Sequence, residues 1–174
     1  LRDSALHEGL KVELDSTGLP KLFPEPGAFT FHVMDRNGNL WYLRCLKSNP
    51  GEGFIRYAAL NSYLKQHPLP CIAITEYEAH GIYVNGTWYP TMKVQRGEDC
   101  TLEHYIQQNA ANITRMSQLE NWFLELVETL GDAHVAHGNL QHKTILVRED
   151  RLVLTGYEGM YIPPLMGSEC LDEG

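Results

Sequence analysis

A polar segment that begins at His137 contains many of the side chains in this sequence that could do chemistry. Its residues are His-Gly-Asn-Leu-Gln-His-Lys-Thr. Imidazole nitrogens are common zinc ligands, and the spacing of His134, His137 and His142 is compatible with a metal site. Asp132 and Glu149 are the nearby carboxylate candidates. A metal site is the weaker of two interpretations, because a second pattern gives His137 a structural role.

The second pattern is that of the protein-kinase catalytic loop, His-Arg-Asp-Leu with Asn four residues further on and a strand after it. The text AHGNLQHKTILV, followed by GYEGMYIPP, resembles a bacterial kinase-like family with HGDLQHGNILV, then DYDGM and a proline. The resemblance implies an α+β, protein-kinase-like fold with an antiparallel-sheet small lobe, one helix and a truncated helical large lobe. It also implies that His137 supports the loop. Similarity covers roughly residues 29–167, including Arg56-Tyr57, Tyr77 through Gly81-Ile82, and Trp88-Tyr89-Pro90.

Kinase chemistry requires side chains that this loop lacks. Phosphoryl transfer uses an Asp as base, an Asn for one magnesium ion and a second Asp for the metal that bridges the phosphates. In the family's register these positions are Asn139, Thr144 and Gly156. An amide is no base, threonine is a shorter and poorer metal ligand, and glycine has no side chain. Glu158 is the acid that an active variant could recruit for a metal, but no replacement base is evident.

The strand that would carry the phosphate-binding lysine is altered in the same way. The run Trp-Tyr-Leu-Arg-Cys-Leu resembles the family's YALKCF, which puts Arg44 at the lysine and Tyr42 at a small alanine. Side chains two residues apart share a face of a strand, so Tyr42 would intrude on the space of an adenine. Lys47 is a slipped candidate, but a one-residue shift turns it to the other face. Residues 53–66 contain no Asp or Glu to pair with a cation.

The hydrophobic pattern predicts a sheet-rich first half. Asn37-Gly38 and Asn85-Gly86 lie between apolar and β-branched runs, which is a strong hairpin pattern. Apolar residues between Phe54 and Leu64 recur at helical spacing. The predicted strands cover residues 29–34, 40–46, 71–77, 81–84 and 87–94.

Helices are predicted after residue 100. Thr101 can cap a short helix, and Ser117 with Glu120 forms a capping box for a longer one. A short hairpin is expected over residues 145–154. The predicted domains are an extension (1–26), a small lobe (27–96) and a partial large lobe (97–174). The longer helix carries an apolar stripe, predicted to be core, that comprises Leu119, Trp122, Phe123, Leu126, Val127 and Leu130.

Composition narrows the class of protein. The 174 residues carry a formal charge of −8, and the basic residues are scattered, which argues against a nucleic-acid or anionic-membrane surface. Four dispersed cysteines lack the CxxC spacing of zinc ribbons, and no stretch approaches the ~20 apolar residues of a spanning helix. We therefore expect a cytoplasmic protein with reduced thiols. Its first residue is Leu1 rather than Met, so it could be part of a longer polypeptide.

Two hypotheses follow for function. The first is a pseudokinase that binds no cofactor or metal and acts as a protein-binding or regulatory scaffold module. The alternative is an atypical phosphotransferase or nucleotide-binding protein, for which Lys47 and Glu158 are the residual contacts. Because the large lobe is expected to lack later helices, the apolar stripe should be covered by a partner, by the rest of a longer polypeptide or by self-association.

Overall fold

A computed structural model describes residues 9–25, 27–47, 51–97, 100–156 and 159–165, with side chains in the first helix from residue 55 onward. Antiparallel strands and helices together make the fold mixed α+β, as predicted. Contacts divide the chain into two compact units, Leu1–Asn61 with Ile74–Gly97 and Ser62–Ala73 with Glu98–Gly174.

An antiparallel sheet forms the first unit. Its strands are β1 (Lys11–Val12), β2 (Leu22–Glu25), β3 (Ala28–Met34), β4 (Leu40–Leu46), β5 (Thr75–Val84) and β6 (Thr87–Arg96). Their order is β1-β3-β4-β6-β5, and β2 also pairs with β3. Both predicted hairpins are confirmed, since β3 pairs with β4 and β5 with β6.

Hydrogen bonds and backbone angles explain the two turns. Oδ1 of Asp35 accepts hydrogen bonds from the backbone N–H groups of Asn37 and Asn39, at 2.8 and 2.9 Å. In the second hairpin, Asn85 and Gly86 have φ values of 49° and 85°. A two-residue turn of type I′ requires positive φ at both positions, and Asn-Gly adopts it at low cost.

The described part of the predicted N-terminal extension belongs to this sheet. Both β1 and β2 pair with β3, so residues 11–25 contribute two strands to the first unit. The sequence pattern did not indicate them for two reasons. β1 contains only two residues, and Pro24 within β2 is unusual in a strand interior.

Side-chain alternation gives the sheet two different faces. One face carries a buried cluster of Val33, Trp41, Leu43 and Cys45. The other face carries Tyr42 and Arg44, whose neighbours on β3 are His32 and Thr30. The predicted common orientation of Tyr42 and Arg44 therefore agrees with the strand register.

The helix predicted between the hairpins is confirmed as α1 (Gly51–Gln66), which belongs to the first unit as far as Asn61. Its Tyr57 ring stacks on the ring of Tyr77 with a centroid separation of 5.7 Å. Oδ1 of Asn61 accepts a hydrogen bond from the backbone N–H of Tyr77 at 3.2 Å. These contacts hold this part of the helix against β5.

The second unit combines a small sheet with two helices. Oγ1 of Thr101 accepts a hydrogen bond from the N–H of His104 at 3.2 Å, which confirms the predicted cap. The predicted short hairpin is also confirmed. The elements are β7 (Cys100–Thr101), α2 (Leu102–Asn109), α3 (Ile113–Asp132), β8 (Ile145–Arg148), β9 (Arg151–Leu154) and a 3₁₀ turn (Pro163–Leu165).

Two predicted element boundaries are wrong. The long helix begins four residues before Ser117, because Oδ1 of Asn112 caps it by accepting the N–H of Arg115 at 3.1 Å. The strand predicted over residues 71–77 begins only at Thr75. The carbonyl of Cys71 instead accepts the N–H of Leu154 at 2.7 Å, within the second unit. An apolar run can form a strand or a bridge, and its tertiary partner decides which.

The predicted core stripe on α3 divides into two parts. Leu126 and Leu130 are buried, and Leu119 and Trp122 are half-buried. Phe123 is 40% exposed and Val127 is 50% exposed, so their assignment to the core is wrong. A helix that packs on one side buries only the arc that faces the sheet.

No helix in the described ranges is long and apolar enough to cross a bilayer.

Candidate functional site

The segment that resembles a catalytic loop is held at its base by backbone hydrogen bonds. Ala136 and Tyr161 exchange N–H to carbonyl bonds of 3.0 and 2.6 Å. Gly138 has φ of 76°, and a Cβ atom there would collide with the carbonyl of Gly159. His137 is only 2% exposed, and its Nε2 donates to the carbonyl of Thr155 at 2.8 Å. The imidazole therefore braces the loop against the residues that follow β9.

Asn139 and Thr144 make their hydrogen bonds within the loop itself. Oδ1 of Asn139 accepts a hydrogen bond of 2.6 Å from Nε2 of Gln141. The Oγ1 hydroxyl of Thr144 donates to the carbonyl of Asn139 at 2.8 Å and accepts the N–H of Gln141 at 3.0 Å. The polar atoms at the presumed base and metal positions of a kinase thus close a turn.

The position that resembles the second kinase aspartate carries no side-chain ligand atom. Gly156 has φ of 83°, a left-handed conformation that suits glycine. Glu158 lies outside the described residues, so its proposed metal contact stays a prediction. The acids Glu149 and Asp150 occupy the turn between β8 and β9, where both have positive φ.

The zinc interpretation gains no support from the arrangement of the histidines. Among the described residues, no three His, Cys, Asp or Glu side chains form a group suited to a metal ion. His142 instead has Nε2 at 3.3 Å from Oε2 of Glu103, which lies on α2.

Arg44, at the position that resembles the kinase lysine, pairs with a carboxylate that the sequence did not reveal. Its Nε lies 3.2 Å from Oε2 of Glu25, and the hydroxyl of Thr30 donates to Oε1 of the same side chain at 2.8 Å. Lys47 donates from Nζ to the backbone carbonyl of Glu25 at 2.8 Å and lies 4.5 Å from the centroid of the Phe29 ring. Both cations at this end of β4 are thus attached to the β2–β3 segment.

Side chains of this chain also surround Tyr42. The His32 ring lies edge-on to Tyr42 at 5.1 Å, and Phe23 stacks on His32 at 4.2 Å. The guanidinium of Arg96 lies over the Tyr42 ring, 5.6 Å from its centroid. Oε2 of Glu13 is 2.9 Å from Nδ1 of His32. Strands β2, β3, β4 and β6 therefore all contribute to one aromatic and charged cluster on the face that carries Arg44.

Hydrogen bonds lower the pKa values of two carboxylates in the first unit. Lys21 and His32 hydrogen-bond to the Glu13 carboxylate and lower its pKa. Hydrogen bonds from Asn39, followed by Trp41, lower the pKa of Asp35 to about 2. Both carboxylates are held in the ionised form because the charged form accepts these bonds.

A buried cation lies on the opposite face of the sheet. Lys93 is 7% exposed, its Nζ is 2.9 Å from Oε2 of Glu76, and it lies 4.3 Å from the centroid of the Trp41 ring. Sequence analysis missed this pair, because a lysine within an apolar strand does not reveal the carboxylate and the ring that accept it. Its burial beside Trp41, a member of the buried cluster, indicates a structural role.

The chain matches no protein-family model, and no curated protein matches its sequence.

Proposed function

We propose that this chain is a kinase-like module that does not transfer phosphate and that acts in the cytoplasm by binding a protein partner. The observation that carries the proposal is the bonding of Asn139 and Thr144 within their own loop. Neither side chain can accept a proton as a carboxylate does, and their oxygens stabilise a turn instead. With Gly156 at the third position, none of the three positions that resemble the kinase base and magnesium ligands carries a carboxylate.

The environment of Arg44 supports the same conclusion. A phosphate group would have to compete with the Glu25 carboxylate for the guanidinium, and the two anions would repel each other. In active kinases the corresponding lysine pairs with an acid on the helix, which leaves its charge directed at the nucleotide. Here the acid comes from β2, so the cation stabilises the sheet.

The cluster around Tyr42 supports the proposal that the module binds no nucleotide. An adenine needs an open apolar surface next to the strand that carries the phosphate-binding cation. In this chain His32 and Arg96 lie against Tyr42 on that face, and Phe23 stacks on His32. Displacing these rings and the ion pairs attached to them would oppose binding. We therefore propose that no cofactor is required.

A thermal-shift titration of the whole chain with ATP and either magnesium or manganese tests this proposal. Ligand at 100 times its Kd stabilises a folded protein by about 2.7 kcal/mol, so binding would raise the melting temperature by several degrees. We expect no metal-dependent rise and no phosphate transfer to the chain or to generic substrates. Metal-dependent transfer that is lost in Glu158→Ala would instead establish the atypical phosphotransferase.

A further inference from the structure

Three exposed apolar side chains form a continuous patch on α3. Phe123, Leu124 and Val127 are 40%, 56% and 50% exposed. Residues three and four apart are neighbours on a helix surface, so Val127 adjoins both Phe123 and Leu124. We call these three residues the outer strip. Its members lie within little more than one turn of the helix, unlike the isolated exposed apolar residues that most protein surfaces carry.

The outer strip borders the side of α3 that forms the core. Leu126 and Leu130 are buried, and Trp122 packs against Tyr105 of α2 with a ring separation of 5.8 Å. Phe123 and Val127 each precede one of the two buried leucines by three residues, so the apolar surface continues from the core onto the exposed strip. Packing within the second unit explains only the buried part of this surface.

Charges around the outer strip are acidic. Glu120 precedes Phe123 and Leu124 by three and four residues, and Glu128 follows Leu124 by four, so both belong to this surface. The single basic residue of α3 is Arg115, whose guanidinium points to Asp150, with Nη1 3.9 Å from Oδ1. The strip is therefore bordered by carboxylates.

This charge pattern selects among possible occupants. A second copy would bring another Glu120 and Glu128 to the same contact, and the two chains would each carry a formal charge of −8. An anionic membrane would be repelled for the same reason. A partner with an apolar stripe bordered by lysine or arginine would satisfy both the apolar side chains and the carboxylates.

We propose that the outer strip of α3 is the docking site for a cationic amphipathic helix of a partner protein. The proposal rests on the proposed function, because it specifies the class of partner that the module binds. The partner helix contributes apolar residues at i, i+3 or i+4, and i+7 that cover Phe123, Leu124 and Val127. Its basic residues lie next to Glu120 and Glu128.

Binding of a synthetic helical peptide to the whole chain tests the proposal. The probe is a peptide of about 18 residues with leucine at i, i+3, i+4 and i+7 and lysine elsewhere. A scrambled peptide of equal composition and a leucine–glutamate version serve as comparison ligands. We expect the helical lysine peptide to bind best, and its affinity to fall as salt is raised.

Variants of the chain locate the contact. The double substitution Leu124→Ser and Val127→Ser should weaken binding about tenfold or more, since it removes two adjacent apolar contacts. Ile55→Ser with Ile74→Ser is the matched control, because those residues are 68% and 57% exposed in the first unit. Glu120→Lys with Glu128→Lys keeps the apolar strip and should transfer preference to the glutamate peptide. Circular dichroism confirms that each variant is folded.

Three results would overturn the proposal: equal binding of the scrambled peptide, equal loss in the control double variant, or no effect of charge reversal. A concentration-dependent dimer that disappears in Leu124→Ser with Val127→Ser would assign the strip to a second copy. Nucleotide binding is measured separately on the same protein. A failed peptide experiment would therefore contradict the docking site without contradicting the proposed absence of phosphate transfer.

Discussion

The Nε atom of Arg44 lies 3.2 Å from Oε2 of Glu25, so this cation, at the position that resembles the kinase lysine, pairs with a carboxylate of β2. The carboxylate is fixed in turn by the hydroxyl of Thr30. This arrangement joins β2 to the central part of the sheet and directs the charge of Arg44 at the protein itself.

Glu25→Gln should destabilise the chain by about 1 kcal/mol, because it removes the carboxylate charge that pairs with the half-buried guanidinium of Arg44. The melting temperature should fall by about 2–4 °C, which calorimetry can measure. Glu128→Gln, on the exposed surface of α3, is the control and should change little. An equal shift in both variants would show that the ion pair does not stabilise the sheet.

Restoring the kinase residues in the loop should not restore activity. Asn139→Asp, Thr144→Asn and Gly156→Asp together supply the missing groups, but Arg44 remains paired with Glu25. The triple variant should also melt at a lower temperature, since an aspartate at the φ of 83° found at Gly156 costs about 1–2 kcal/mol. Radiolabelled ATP with magnesium measures transfer. Recovered transfer would contradict our interpretation of the first unit.

The single substitution Asn139→Asp separates the effect on folding from the effect on phosphate transfer. The new carboxylate can still accept the hydrogen bond from Gln141, so the loop should stay folded. We expect unchanged melting and no phosphate transfer from this variant.

Gly138→Ala should be among the most damaging small substitutions in the second unit. Its φ of 76° disfavours a side chain, and the added methyl group would meet the backbone carbonyl of Gly159. We expect a loss of about 2 kcal/mol or more in the free energy of unfolding. Gly131→Ala is the matched control, because Gly131 lies in α3 with open space beside it and alanine favours helix by up to about 1 kcal/mol. Denaturant unfolding distinguishes the opposite signs, and two losses of similar size would contradict the prediction.

Asp35 should contribute to the loss of stability in acid. Hydrogen bonds lower its folded-state pKa to about 2, below the ordinary value of 3.8. A lowered pKa means that the unfolded chain binds a proton first, so the contribution is complete above pH 3.8 and is lost as pH falls through about 2. Asp35→Asn should flatten the dependence of the unfolding free energy on pH over that window, as followed by circular dichroism. Asp132→Asn, at the exposed end of α3, is the control, and its unfolding free energy should fall more steeply in acid than that of Asp35→Asn. Identical pH profiles for the two variants would refute the role of Asp35.

Several elements could be predicted from sequence because their causes are local. Gly38 in the first turn, and Asn85 with Gly86 in the second, adopt the positive φ values that these residue types tolerate. Thr101 caps α2 through an oxygen three residues from the N–H that it accepts. The sequence alone likewise shows that Asn139, Thr144 and Gly156 lack the side chains of the kinase motif that this segment resembles. Alignment with a motif does not reveal which groups those side chains form hydrogen bonds with.

Tertiary structure decided the features that depend on distant partners. Glu25 reaches Arg44 only because β2 folds onto β3, and Lys93 is tolerated in the core because Glu76 and Trp41 accept its charge. The amino-acid sequence alone determined that α3 is an amphipathic helix with a wide apolar stripe. Packing against β9 decided that Leu126 is buried while Val127 is exposed, because a helix buries only the arc that meets its neighbour, and periodicity does not say where that arc ends.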